Sequence, residues 1–292
     1  MNARELVRRH PVGVFLVWFF TVGQAIVLVP VATDLPTEPF IITSTFVGLL
    51  LPAAVITWIV DGPDGLRALR YRTLRARLPA RWYALALIGV PTAIVAAAVA
   101  TEGTPATRPG LVSTVGVGFV AQLVVVLVTV NWWEEVVWMG FVQARLQPRH
   151  GAMRAAALAG VAFAAGHISL VLGDGLSATI TLVVLLLAVS IPFRALAAWI
   201  YNRTSSLLLA GMVHAAANAV AAGSILGTGL LPRLYGNDSS SRLAFPVLAV
   251  IGLVAIVATR ARLGYQPPRE RHPPHDLTTT PLEPGTHDAV AR

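Results

Sequence analysis

Apolar residues fall in long runs broken by short polar or arginine-bearing segments, at approximately 12–31, 40–60, 82–101, 111–146, 152–172, 176–200, 205–227 and 243–260. Runs of about 17–25 apolar residues have the length of a membrane-crossing helix. The pattern therefore predicts an all-α, polytopic integral membrane helical bundle with about eight transmembrane helices. The fourth run exceeds one span, so its last turns are expected beyond the hydrocarbon on the Arg145 side. Pro192 is expected to kink or end the sixth.

Arginine placement orients these helices. The basic segment 61–81 holds Arg67, Arg70, Arg72, Arg75, Arg77 and Arg81 and is expected to be cytoplasmic under the positive-inside rule. Alternating outward from it puts Arg4, Arg8 and Arg9, the group Arg145, Arg149 and Arg154, then Arg203, and finally Arg260 and Arg262 on the same side. Both termini are thus expected in the cytoplasm, and the chain in the cell (plasma) membrane. Within the basic segment, Leu66, Leu69, Tyr71, Leu74 and Leu78 are interleaved with arginine, as in an amphipathic helix lying on anionic lipid; a solvated basic loop is the other reading. The chain divides into N-terminal helices (1–110), a core (111–227), a last helix (228–263) and a proline-rich polar tail (264–292) expected to be disordered.

Composition fits this picture. Of 292 residues, 55% are hydrophobic and only 12% charged, against about 25% charged in soluble domains. The net charge of +8 does not point to nucleic acid, because the arginines sit between apolar runs; the lipid bilayer is the expected partner. There is no cysteine, which excludes disulfides, thiolate metal sites and a cysteine nucleophile.

Polar interruptions carry the chemistry. After the uncharged stretch 111–133, Glu134 and Glu135 enter the same helical pattern. A carboxylate at the bilayer centre costs roughly 2.5–3.5 kcal/mol on insertion scales, so such a residue is a functional candidate by default. Two histidines lie inside apolar runs, His167 and His214, and Asn218 follows His214 by one turn on the same face. Asn131 precedes the glutamates by one turn, and Phe163 precedes His167 likewise. At a rise of about 1.5 Å per residue, Glu134 lies about 16 Å from Arg145, His167 about 20 Å from Arg154 and His214 about 16 Å from Arg203. Matched depth predicts one shared polar site.

A membrane-embedded carboxylate suits a general base acting on water, and histidine and asparagine side chains can support the oxyanion of a tetrahedral intermediate. Ser169, Ser205, Ser206 and Ser224 do not sit in a nucleophile elbow. Hydrolysis by an activated water is the natural reaction. A zinc site of His167, His214 and a glutamate is the competing mechanism, but no compact zinc motif is present; neither metal nor another cofactor is expected. A proton- or ion-coupled transporter using the two glutamates is a further reading, unsupported by any internal repeat.

The segments EEVVWMGF (134–141), FAAGH (163–167) and HAAAN (214–218) resemble, in order, the motifs EExxxR, FxxxH and HxxxN/D of the CAAX-processing and bacteriocin-processing membrane proteins. The resemblance covers roughly 112–226. It implies an eight-helix intramembrane glutamic endopeptidase without metal, acting on a membrane-associated peptide or protein. Glu134 would be the base, Glu135 its supporting partner, and His167, His214 and Asn218 would position water or hold the oxyanion. One position departs: Met139 stands where the family has arginine, and Arg145 lies on another helix face. That departure makes an inactive scaffold or immunity protein of the same fold the second reading.

Overall fold

The computed structural model describes residues 2–106, 110–171, 176–221, 227–236 and 243–267. The expected polar tail from 268 onward, and with it His272, His275 and His287, lies outside the described residues, as does Ser224. Among those described the fold is entirely helical, without a β-strand.

Among the described residues, five helices are long and apolar enough to cross a membrane: α1 (Pro11–Thr33), α2 (Glu38–Thr73), α3 (Ala80–Glu102), α4 (Val115–His150) and α6 (Leu176–Thr204). Three shorter apolar helices complete the bundle: α5 (Ala152–Gly166), α7 (Leu207–Ala221) and α8 (Ala244–Ala258). Large apolar side chains such as Trp58, Val117, Val184 and Val257 remain exposed on the outside. Such a surface suits a hydrocarbon surround, where only backbone already paired within helices is tolerated. The protein is a multi-pass membrane bundle.

Three details differ from the sequence pattern. The fifth helix stops at Gly166, and His167 is its C-terminal capping residue rather than a mid-helix one. A Cβ on Gly166 would lie 2.6 Å from the Phe19 ring, so α1 presses on this end of α5. The sixth helix does not end at Pro192 but runs through it to Thr204. The basic segment is helical as far as Thr73 and is packed onto the bundle along one face. It continues α2 past a break at Gly62, whose positive φ of 68° suits a residue without Cβ, and then lies against α4. There Leu69 and Thr73 are buried, and Trp132 Nε1 donates to the Thr73 carbonyl at 3.2 Å. Arg72 donates to the Tyr201 hydroxyl at 2.6 Å, tying the segment to α6.

Close crossings at small residues fix the packing, as expected where no hydrophobic force drives helices together. A Cβ on Gly48 would lie 2.7 Å from Gly23 Cα, and Ser44 Oγ donates to the Gly23 carbonyl at 2.9 Å, so α1 and α2 touch backbone to backbone. The same construction at Gly160 meets Ile191 Cα at 2.9 Å, and at Gly252 it meets the Pro192 carbonyl. Helix α6 is thereby clasped between α5 and α8 just before Arg194. Ser206 starts α7, accepting from Leu209 N–H at 3.1 Å while its hydroxyl donates to the Arg75 carbonyl at 2.6 Å. It is a helix cap, not a nucleophile.

Candidate active site

The site is built on α4, which carries Asn131, Glu134 and Glu135 within about one turn. Helix α7 reaches it because Gly211 has no side chain: a Cβ there would sit 2.8 Å from Trp132 Cα. Three residues further on, His214 Nδ1 stands 2.9 Å from Glu135 Oε1 and 3.6 Å from Glu134 Oε2. One more turn brings Asn218, whose amide donates to Asn131 Oδ1 at 3.2 Å; Asn131 in turn donates to Glu134 Oε2 at 3.3 Å. Thus Glu134, Glu135, His214 and Asn218 form one connected polar group.

Both histidines have a defined hydrogen-bonding side. A carboxylate or carbonyl oxygen only accepts, so the Nδ1 of His214 donates to Glu135. His167 Nδ1 donates to the Phe163 carbonyl at 2.8 Å. In each neutral ring the remaining nitrogen, Nε2, then carries the lone pair; in a protonated ring it donates.

The two glutamates are not equivalent. Glu135 is fully buried (0% exposed) and is gripped by the fully buried Arg194 of α6, Nη2 to Oε1 at 2.7 Å and Nη1 to Oε2 at 3.0 Å. The Phe163 and Phe193 rings cover the guanidinium, at 4.3 and 4.2 Å from its carbon, in the range of cation–π attraction. Phe163 also lies tilted against His167 (centroids 4.3 Å) and meets His214 edge-on (5.9 Å). Glu134, by contrast, is 12% exposed at its side chain and lines a cavity of ≈ 60 Å³. That volume holds water, given polar partners.

His167 lines the same cavity, joined by Gln24, Ser44 and Thr45 from α1 and α2. Ser169, just beyond α5, donates to Gln24 Oε1 at 2.8 Å. The N-terminal helices therefore wall a site whose motifs lie wholly in the core. Sequence reasoning missed Gln24 and Ser44, which carry no motif, and missed Arg194, which did carry a signal. Arg194 is a lone charge in an apolar run, nine residues or about 13 Å along α6 from Arg203. The test applied to Glu134 would have found it at the same level. Arg145 is occupied elsewhere: it pairs with Asp61 of α2 and lies over the Phe141 ring at 4.2 Å. Among the described residues no three His, Asp or Glu side chains are arranged to hold a metal ion.

The order of the motifs, the first two of which bring Glu134 and His167 to one cavity, agrees with a sequence-family comparison. Residues 116–220 match the family model described as type II CAAX prenyl endopeptidase, Rce1-like. Over these residues the chain is similar to the Rce1-like family. The match takes in both glutamates, both histidines, Asn218 and Arg194, and leaves out α1 to α3 and α8. The family is one of membrane proteases. No curated protein matches the chain.

Proposed function

We propose that the protein is an intramembrane endopeptidase that hydrolyses a peptide bond of a membrane-associated peptide or protein with a water activated by Glu134. The observation that carries this reading is the unequal placement of two adjacent carboxylates. Glu135 has its oxygens committed to Arg194 and His214, whereas Glu134 has longer contacts, from Asn131 at 3.3 Å and His214 at 3.6 Å, and borders the cavity. A base must reach the proton it removes, directly or through one water; Glu134 meets that condition and Glu135 does not.

In this mechanism Glu134 takes a proton from water in the cavity as the oxygen attacks the scissile carbonyl. His167 and His214, with their Nδ1 atoms engaged, use Nε2 to orient the water or, when protonated, to donate to the developing oxyanion. Asn218 acts through Asn131 to hold the Glu134 carboxylate. The proton on Glu134 then passes to the leaving amine, restoring the carboxylate.

The test is hydrolysis of internally quenched peptides, one carrying a C-terminal S-farnesyl-cysteine motif and one an unmodified transmembrane-peptide end, by the wild type and Glu134→Gln. Met139 at the family's arginine position favours a second reading, an inactive scaffold of the same fold, and wild-type turnover of either probe would exclude it.

A further inference from the structure

The family pattern places an arginine five residues after its first glutamate, and this chain has Met139 there. Met139 is fully buried in the apolar core, one turn beyond Glu135 on α4. The guanidinium arrives from another helix. We propose that Arg194 fills the vacated role: it is a positioning residue that fixes the Glu135 carboxylate so that Glu135 in turn orients His214. The proposal rests on the endopeptidase reading for its catalytic consequence, though not for its geometry.

Four observations converge on it. First, the contact is a two-pronged fork in which each Glu135 oxygen meets a different Nη atom, at 2.7 and 3.0 Å. That arrangement fixes the plane of the carboxylate as a single contact does not. Second, Oε1 is shared between Arg194 Nη2 and His214 Nδ1, so the orientation imposed by arginine passes directly to the imidazole. Third, the guanidinium is rigidly mounted. Phe163 and Phe193 cover it, and the segment of α6 before it is held at Ile191 by Gly160 and at Pro192 by Gly252. Fourth, Arg145, the other arginine near the motif, is committed to Asp61 and Thr57.

A buried ion pair is by itself poor evidence of a stabilising device, because apolar residues of similar volume often stabilise as well or better. Arg194 Nε has no hydrogen-bond partner among the described residues, so the pair is not an optimised structural network. What an apolar replacement would lose is the fixed acceptor for His214. With Nδ1–H held by Glu135, the neutral ring keeps its lone pair on Nε2. A loosened Glu135 would release that constraint.

The experiment uses the full chain in nanodiscs: wild type, Arg194→Met, Arg194→Lys and the swap Arg194→Met with Met139→Arg. Three experiments are run: kinetics on the farnesylated quenched peptide for kcat and KM, thermal unfolding, and the 15N shifts of the His214 ring. Loss of a residue that orients a functional ligand through a second group typically costs about 10–100-fold. We expect Arg194→Met to lower kcat by that factor with little change in KM, and to shift the His214 ring nitrogens away from the single Nδ1–H form. Arg194→Lys keeps the charge without the fork and should fall between; it remains informative should Arg194→Met fail to fold. The swap should recover much of kcat and the wild-type ring shifts.

Unchanged kcat and ring shifts in a folded Arg194→Met, or in Arg194→Lys when Arg194→Met is unfolded, would overturn the proposal. So would a swap that restores the unfolding temperature but neither kcat nor the shifts, since Arg194 would then be structural only. If the wild type leaves the peptide uncut, the endopeptidase reading is what suffers, and the ring shifts still decide the role of Arg194.

Discussion

Glu134 and Glu135 are neighbours in the chain with opposite surroundings: one borders a cavity, and the other is sealed between Arg194 and His214. Consecutive residues on a helix point about 100° apart, so a single helix can present one carboxylate to water and the other to the core. The proposed division of labour between acid–base chemistry and support would follow from that angle, given an arginine on the buried side.

The Glu135–Arg194 pair makes a stability prediction. Removing one partner of a buried pair leaves an uncompensated charge and costs about 3–5 kcal/mol, whereas replacing both with apolar residues is often neutral. Glu135→Leu and Arg194→Met should each lower the unfolding temperature in nanodiscs, and the double variant should recover most of the loss while remaining inactive. A double variant no better than the worse single would show that the pair is not the source of the instability.

Gly211 supports the site by letting α7 approach Trp132. Inserting bulk into a tight contact typically costs about 1–3 kcal/mol and shifts backbone. Gly211→Val should therefore move His214 and Asn218 away from the glutamates, destroying hydrolysis while an unstrained control, Gly116→Ala, leaves it intact; nothing in the structure crowds a Cβ at Gly116. Activity and monodispersity measured side by side decide this, and an active Gly211→Val would show the crossing to be unimportant.

The N-terminal helices should influence substrate more than chemistry. Gln24 lines the cavity beside Glu134 and His167. Loss of one neutral hydrogen bond is worth about 0.5–1.5 kcal/mol, so Gln24→Leu should raise KM by roughly 3–10-fold with kcat little changed. A fall in kcat at constant KM would instead place Gln24 in the transition state.

Much of this was legible in the chain. Apolar runs mark the five long helices and the three shorter apolar ones seen among the described residues, because in lipid a helix has to satisfy its own backbone. Charges in those runs mark Glu134 and Glu135, because the bilayer penalises them. Helix ends were less legible: nothing in AAGHISL announces that α5 stops at Gly166, where the Phe19 ring of a distant helix packs. Nor does local spacing show that the arginine partner of Glu135 lies 59 residues away on α6. Along α4 itself, the positions near the expected arginine offer Met139 and Arg145. Gln24 and Ser44 are ordinary polar residues in apolar helices until the crossing at Gly23 and Gly48 turns them toward the cavity.

Metal independence is a separate prediction. Glu135 is committed to Arg194 and the Nδ1 atoms of both histidines to oxygen acceptors, and zinc sites need several converging free ligands. Elemental analysis of active protein should find no stoichiometric zinc, and chelators should leave hydrolysis unchanged. About one zinc per chain, lost with activity in His167→Ala, would establish the metalloprotease mechanism instead.

The most direct measurement compares wild type with Glu134→Gln on the quenched peptides. Glutamine keeps shape and hydrogen bonding but cannot accept the proton. Hydrolysis should therefore fall by about 10²–10⁴-fold, the usual contribution of a general base, while the unfolding temperature holds or rises, because a membrane-buried charge has been removed. A Glu134→Gln protein that cleaves at the wild-type rate would contradict the assignment of Glu134 as the base.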